Sequence, residues 1–332
     1  MERVLVTGGA GFVGSSFVRH VAAHTDAAVT VLDKLTPAAS PESLAGLPED
    51  RVRLVVGDVA DPAVVDPLVG EADAVVHLAA ESHNDNALED PAPFVNTNLV
   101  GTFTLLEAVR RHGVRLHHVS TDEVYGDLDL DDPARFTEES ALRPSSPYSA
   151  SKAGADHLVR AWVRSFGLRA TISVSSNNYG PWQHVEKFVP RQITEVLEGR
   201  RPRVYGDGRH VRDWIHTEDH SAAVLAILER GRIGETYVVG ADGERSNLEV
   251  AQAILRLAGR DPADVEHVAD RPGHDRRYAL DAAKLRTELG WEPGYHDFEM
   301  ALADTMHWYA DHADWWRPRK AAVEAAYAAR GQ

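Results

Sequence analysis

Short runs of valine and leucine alternate with helix-period stretches through the first part of the chain. Val4–Val6, Val29–Leu32, Leu54–Val56, Ala74–Leu78 and Leu116–Val119 are nearly continuous in apolarity, as expected of strands covered on both faces. Between them, Val13–Ala23 and Thr97–Arg110 carry helical patterns; the second places Leu99, Phe103, Leu106 and Val109 on one stripe. This order predicts an α/β fold, a doubly wound parallel sheet of the Rossmann type. From about Asn177 the pattern loosens, with Pro, Gly, Trp and Arg punctuating Tyr179–Trp214. A helix over Asp219–Glu229 and a strand over Thr236–Val239 follow. Ser246-Asn-Leu-Glu249 has capping-box spacing before a helix over Leu248–Leu257, and the C-terminal stretch reads as helical and polar. A smaller, mixed C-terminal domain is therefore expected beside the sheet.

Charge and composition narrow the chemistry. The 332 residues carry 35 Lys and Arg against 51 Asp and Glu, a net charge of −16. Nucleic acid and anionic membrane surfaces call for clustered positive charge, so neither is an expected partner. The absence of cysteine excludes disulfides, thiolate metal sites and a cysteine nucleophile. No apolar run approaches a bilayer span, and MERVLVTGG enters a strand without a signal-peptide pattern, so a cytoplasmic protein is expected.

The first strand runs into Gly8-Gly9-Ala10-Gly11-Phe12-Val13-Gly14 and directly into a helix. Glycines there permit a tight turn and close backbone approach to a pyrophosphate, and the helix N-terminus offers unpaired N–H groups. Asp33 ends the next strand, where a carboxylate accepts hydrogen bonds from adenosine ribose hydroxyls and repels a 2′-phosphate. The pattern favours NAD over NADP, with Lys34 able to soften the preference. Asp58, after the third strand, is placed to reach the adenine. A structural glycine turn with a solvent-facing Asp is the competing reading.

Ser146 and Pro147 have the character of a helix cap and first position, which places Tyr148 and Lys152 one turn apart on a shared face. A neighbouring ammonium favours the phenolate of a tyrosine, which then serves as a base. Alone, such a pair is as readily a surface contact. Gly8-x-x-Gly11-x-x-Gly14 together with Tyr148-x-x-x-Lys152 resembles the extended short-chain dehydrogenase/reductase superfamily. In that superfamily a strand-end Ser or Thr completes the site, a role that falls to Thr121.

Val119-Ser-Thr-Asp-Glu-Val-Tyr-Gly126 ends a predicted strand at the carboxyl edge of the sheet. Adjacent carboxylates such as Asp122 and Glu123 push each other's pKa values apart, which suits one as proton donor and the other as acceptor. A solvated acidic loop, continued by Asp127, Asp129, Asp131 and Asp132, is the bland alternative. The segment closely resembles the signature of dTDP-glucose 4,6-dehydratases. Leu78-Ala-Ala-Glu-Ser-His83, Ser176-Asn-Asn-Tyr-Gly-Pro181, Glu186-Lys187, Tyr205-Gly-Asp-Gly208, Arg212-Asp-Trp214 and Asp270-Arg-Pro-Gly-His-Asp-Arg-Arg-Tyr278 match the same family. The resemblance implies NAD-dependent oxidation at C4 of dTDP-glucose by Tyr148, Lys152 and Thr121. Loss of water across C5 and C6 follows, with Glu123 as base and Asp122 as acid, and then hydride return to C6.

It also implies a site. Phe12, Val13, Asp33, Lys34, Leu35 and Thr36 would meet the cofactor, as would Asp58, Val59, Leu78, Ala79, Ala80, Ser82, Thr97 and Asn178. Ser82, Thr121 and Asn177 would face the sugar, and Arg212 and Arg271 the diphosphate. Lys187, Phe188, Arg203, Tyr205, Asn247 and His274 complete the nucleotide side, while Arg209, Arg276 and Arg277 read as surface or ion-pair residues. The implied division gives an NAD-binding domain over 1–180 plus a returning segment at about 208–243. A nucleotide-sugar domain takes about 181–207 and 244–332. A homodimer is implied through Phe94–Arg110 and Tyr148–Phe166.

Several positions depart from the family pattern. Asn84 and Asn86 replace a common Val and Arg, Pro37-Ala38-Ala39 replaces Tyr-Ala-Gly, and Arg203 stands where proline is common. The 17 histidines invite a metal reading. His117 and His118, adjacent on a strand, point to opposite faces, and no His-x-x-x-His helix pair with a nearby acidic ligand is apparent, so no metal is expected. Trp308, Trp315 and Trp316 are expected to pack a helix. A nucleotide-sugar 4-epimerase, a GDP-mannose or UDP-sugar dehydratase, and a non-catalytic NAD-binding scaffold remain alternatives.

Overall fold

A computed structural model describes residues 1–270 and 275–329. Twelve strands lie among these residues. β1 (Arg3–Thr7), β2 (Ala28–Asp33), β3 (Val52–Val56), β4 (Ala74–His77), β5 (Arg115–Thr121) and β6 (Ala170–Ser175) come first. β7 (Asn177–Tyr179), β8 (Arg203–Tyr205), β9 (Val211–His216), β10 (Thr236–Val239), β11 (Glu244–Ser246) and β12 (Glu266–Val268) follow. The main sheet is parallel throughout, in the order β10-β6-β5-β4-β1-β2-β3. Its order reverses between β1 and β4, which opens a crevice at the carboxyl ends of the strands.

Alternation along the buried strands feeds two cores. Leu5, Val75 and Leu116 join Leu105, Leu106, Val109 and Val159 on one face, beneath helices Thr102–His112 and Pro147–Phe166. Val4, Val6, Val29, Val31 and Val76 pack on the other face against Phe17, Val21, Val224 and Leu228, from helices Phe12–His24 and Thr217–Arg230. A third core, with Tyr179, Ile193, Trp214, Ile254, Leu302 and Trp316, joins helices Phe188–Leu197, Asn247–Leu257 and Phe298–Asp311.

β6 does not stand out among the apolar runs of the sequence, because Ala170-Thr-Ile-Ser-Val-Ser alternates apolar with small polar residues, as a solvent-facing strand would. Every residue of it is buried. The polar face is satisfied internally: the His117 ring bonds the Thr171 and Ser173 hydroxyls, each at 2.9 Å. His118 points the opposite way, toward Asp156. The helix expected over Thr97–Arg110 begins as a π-helical turn, Val95–Gly101, and becomes α-helical from Thr102.

The chain leaves the main sheet at Ser176, forms β7, and pairs it with β9 in a three-stranded sheet of order β11-β9-β7. β8 and β12 form a separate parallel pair. Helix Thr217–Arg230 and β10 then return to the main sheet, so that the crossover from β6 to β7 lies over its carboxyl edge.

Candidate active site

A cleft follows that edge from the glycine loop to the β6–β7 crossover. At one end Gly8 adopts φ +72°, and a Cβ on it would lie 2.6 Å from the Ala79 nitrogen. A Cβ on Gly14 would lie 2.1 Å from the Gly8 carbonyl oxygen. The turn therefore accepts no side chain at either position, and the backbone comes close to whatever fills the cleft. Helix Phe12–His24 starts at Gly11 with no side-chain cap, which leaves its first N–H groups to a ligand. Gly11, Phe12 and Val13 line the cleft there.

Asp33 is buried at the end of β2. Its Oδ2 accepts from the Ala10 N–H at 3.0 Å and its Oδ1 from the Leu35 N–H at 2.9 Å. Burial raises its pKa, an effect that those two donors oppose. Leu35, at φ +56°, turns away to give that donor and does not line the cleft. Lys34 is held at the cleft by Thr97 Oγ1 at 2.8 Å and by Glu81 at 2.8 Å. Thr36, Val59, Leu78, Ala79 and Ala80 also line it. Asp58 stands beside them without lining it, its Oδ1 accepting from the Ala60 N–H. The open helix end, the two glycines that exclude side chains and the strand-end carboxylate suit a dinucleotide with its pyrophosphate on the helix and a ribose at Asp33.

The chemistry-bearing side chains gather at the other end. A capping box between Ser146 and Ser149 starts helix Pro147–Phe166 and presents Tyr148 and Lys152 to β5. Lys152 Nζ donates to the Val119 carbonyl at 2.8 Å, and burial lowers its pKa to about 8. Burial and the charge of Glu123 push the Tyr148 phenol up, while a hydrogen bond with the Thr121 side chain opposes them. Thr121 also caps the short turn Asp122–Tyr125, so one hydroxyl positions both groups of residues.

Asp122 is 2 % exposed, and its Oδ2 has no hydrogen-bond partner among the described residues. Burial first, and the neighbouring Glu123 second, hold its pKa well above the usual carboxylate range; Arg212 opposes them. Glu123 is half-buried beside it in the cleft. A buried carboxyl pushed toward its protonated form, adjoining a more exposed one, suits an acid beside a base.

Asn177, whose Oδ1 is buried without a partner among the described residues, shares this end with Ser82 and Lys187. Lys187 Nζ donates to the Ser82 carbonyl at 3.2 Å. Asn178 lines the cleft too, its amide donating to Ser175 Oγ and the Ser176 carbonyl. Other sequence-derived positions stand back from it. Arg212 is buried under the acid pair, bonded to the carbonyls of Val211 and Asp275 and 4.6 Å over the Tyr278 ring. Phe188 stacks on Trp214 in the third core. Arg203 pairs with Glu266 across β8 and β12. Tyr205 lies half-buried on β8, and Asn247 is buried at the start of its helix. Arg271 and His274 lie outside the described residues.

Gln183, His184, Glu186 and His220 line the cleft and were not among the sequence-derived candidates, Glu186 aside as part of a matched motif. Gln183, His184 and Glu186 come from a loop with no periodic signal, and His220 lies on the helix expected over Asp219–Glu229, whose pattern does not show what that side chain meets. His20 and His24 correct one sequence expectation: they form a helical i,i+4 pair, and Glu218, remote in sequence, stands 3.4 Å from His20. The two rings stack at 4.1 Å, and among the described residues no three His, Asp or Glu side chains group to hold a metal.

A family model for GDP-mannose 4,6 dehydratase matches residues 5–305. The dTDP-glucose 4,6-dehydratase of Mycobacterium tuberculosis is 64% identical over 331 residues, covering 99% of this chain and 100% of the relative. The crystal structure of a dTDP-glucose 4,6-dehydratase from Streptomyces venezuelae with NAD bound superposes with a TM-score of 0.91 at 44% identity, covering 96% of this chain and 99% of that one. That from Bacillus anthracis, in complex with NAD, gives 0.88 at 40% identity over 96% and 100%. Likeness of this extent, end to end and at this identity, means that the chain belongs to the dTDP-glucose 4,6-dehydratase family.

Proposed function

We propose that the protein is an NAD-dependent hydro-lyase that converts dTDP-glucose to dTDP-4-keto-6-deoxyglucose and water, as its relatives' names describe. The observation that carries the mechanism is Asp122, buried with one unpartnered oxygen and pushed toward its protonated form beside Glu123, in the cleft that holds Tyr148 and Lys152. A 4-epimerase needs the oxidising residues but no acid–base pair.

Tyr148 takes the proton of the C4 hydroxyl, with the Thr121 hydroxyl on its phenol and the Lys152 ammonium one helical turn away. Bound along the glycine loop, NAD would accept the C4 hydride and hand it back at C6. The new 4-keto group acidifies the C5 proton, which Glu123 removes while Asp122 protonates the departing C6 hydroxyl. Glu123 then returns a proton to C5, and the proton collected by Tyr148 balances the one Asp122 gave up. Ser82, Asn177 and Lys187 hold the sugar and nucleotide side. Arg212 acts on the acid pair through its charge, and a diphosphate contact requires it to turn from its backbone carbonyls.

The same reading supplies the finer assignments. Residues 1–180 with about 208–243 serve the cofactor and the remainder the nucleotide sugar, supported by the return of β10 to the main sheet. A second copy of the chain covers an apolar face on the two helices beside the cleft, where Val95, Val100, Phe103 and Phe166 are exposed. No helix among the described residues is long and apolar enough to cross a membrane, and a reaction on a nucleotide sugar with resident NAD is expected in the cytoplasm. The test is a panel of dTDP-, UDP-, GDP- and CDP-glucose, read by the absorbance of 4-keto-6-deoxy sugar in alkali. Strongest product from dTDP-glucose is expected; an epimerised hexose, or no product from any of the four, overturns the reading.

A further inference from the structure

Helix Pro147–Phe166 places Tyr148, Lys152 and Asp156 at four-residue intervals, a stripe facing the end of β5. Each meets a successive part of that strand. The Thr121 side chain faces the Tyr148 phenol, Lys152 Nζ donates to the Val119 carbonyl, and Ser120 Oγ donates to Asp156 Oδ2 at 2.8 Å. Asp156 is 0 % exposed. Its Oδ1 lies 3.2 Å from His118 Nε2, yet neither atom makes a hydrogen bond among the described residues. A fully buried carboxylate with one oxygen unbonded among the described residues is costly to keep in a core, and neither the oxidation nor the dehydration uses it.

The groups around Asp156 show what its charge acts on. Lys152, His157 and Arg160 share its helix; His118 faces it from β5, with His77 of β4 behind at 5.3 Å between ring centroids. Its charge also raises the phenols of Tyr125 and Tyr148, in each case by less than burial does. Burial holds His77 and His118 neutral, and His157 is on the surface. Lys152 is the buried cation of the set, and Asp156 alone opposes the burial that drives its proton off. Asp156 itself has a pKa raised to about 6, so it is largely ionised at neutral pH.

We propose that Asp156 is a positioning residue: its carboxylate ties Ser120 to the helix and keeps the Lys152 ammonium charged beside Tyr148. The oxidising pair is thereby the cleft-facing part of a three-rung ladder whose last rung is sealed in the core. This rests on the role assigned above to Tyr148 and Lys152. Without the carboxylate, Lys152 loses its proton at a lower pH and the Tyr148 phenolate loses its counter-charge.

The test is Asp156→Asn, which keeps an acceptor for Ser120, assayed across pH on the NAD-loaded protein. The alkaline limb of kcat should move down by about one pH unit, giving a roughly tenfold loss near pH 9 against a small loss near pH 6.5, with KM unchanged. Asp156→Glu should move the limb back toward wild type. Bound NAD and melting temperature, measured alongside, should stay near wild type. A second readout is independent of turnover: titration of Lys152 by NMR of ε-carbon-labelled lysine, with Lys152→Arg used to assign the signal, should show the ammonium losing its proton at lower pH in Asp156→Asn. Equal loss at every pH with an unmoved limb, or a Lys152 titration identical to wild type, overturns the proposal. Failure of the wild-type protein on every nucleotide sugar would instead overturn the function assigned above, leaving the Lys152 titration to decide this one.

Discussion

Asp122 carries a conflict between stability and chemistry that single substitutions can expose. Its folded-state pKa is raised, so the native state keeps a proton that the unfolded chain releases once pH passes the ordinary carboxylate value. Stability from this group therefore falls as pH rises through that window. Asp122→Asn removes the penalty, and its melting temperature should exceed wild type by a margin that grows from about pH 4 toward neutrality. The same variant should lose dehydration by roughly 100-fold or more while exchange of the C5 proton by Glu123 persists. A variant with full turnover, or with no stability gain at neutral pH, would refute the acid role. Tyr148→Phe should separate binding from chemistry: NAD is retained in amounts measured by release on denaturation, and reduction of that NAD by dTDP-glucose is lost.

At the scale of elements, two turns hold the site. The glycine loop has no space to give at Gly14, where an added methyl meets the Gly8 carbonyl rather than a mobile side chain. Gly14→Ala should therefore yield a protein that purifies without NAD or fails to fold, distinguished by circular dichroism; unchanged NAD content would contradict the close approach. The helix carrying Tyr148 depends on the reciprocal Ser146–Ser149 cap. Ser146→Ala should cost about 1 kcal/mol of stability and shift the melting temperature by a few degrees. The π-helical turn Val95–Gly101 buries Thr97 and Asn98 and aims them at Lys34, Glu81 and Ser151, a register that an unbroken α-helix would not give.

At the scale of the molecule, the C-terminal helix Ala313–Ala329 reaches back to the loop after β2. Trp315 Nε1 donates to Ser40 Oγ at 2.9 Å, Arg319 pairs with Glu42, and the Ser40 N–H donates to the Ala10 carbonyl of the glycine loop. Trp182, Trp308, Trp315 and His312 form the aromatic patch between the two regions. Trp315→Phe should cost about 1 kcal/mol and hasten release of NAD, measured by dilution and fluorescence. The apolar face offers a test of assembly: Phe103, 46 % exposed, and Phe166, 54 % exposed, lie beside Trp162 on the two helices. Phe103→Glu should shift sedimentation from dimer to monomer at equal folded content, whereas an unshifted boundary would place the interface elsewhere.

Valine-rich strands, the glycine loop, Asp33, the cap at Ser146 and the Tyr148–Lys152 spacing were legible in sequence because each is a local requirement: covered strands, a crowded turn, an open helix end, one helical turn. Asp122 and Glu123 were legible as a carboxylate pair at a strand end for the same reason, as neighbours in sequence. β6 was not, since its serines and threonines look solvent-facing until His117 is there to bond them. Nor were Asp156, the Trp315–Ser40 contact or the placing of Arg203 and Arg212, which depend on which remote carbonyls and carboxylates arrive beside them. Whether a polar side chain is buried, paired or free to meet a ligand is a property of its neighbours in space. Periodicity along a chain reports a residue's own face, and only the packed structure reports what that face meets.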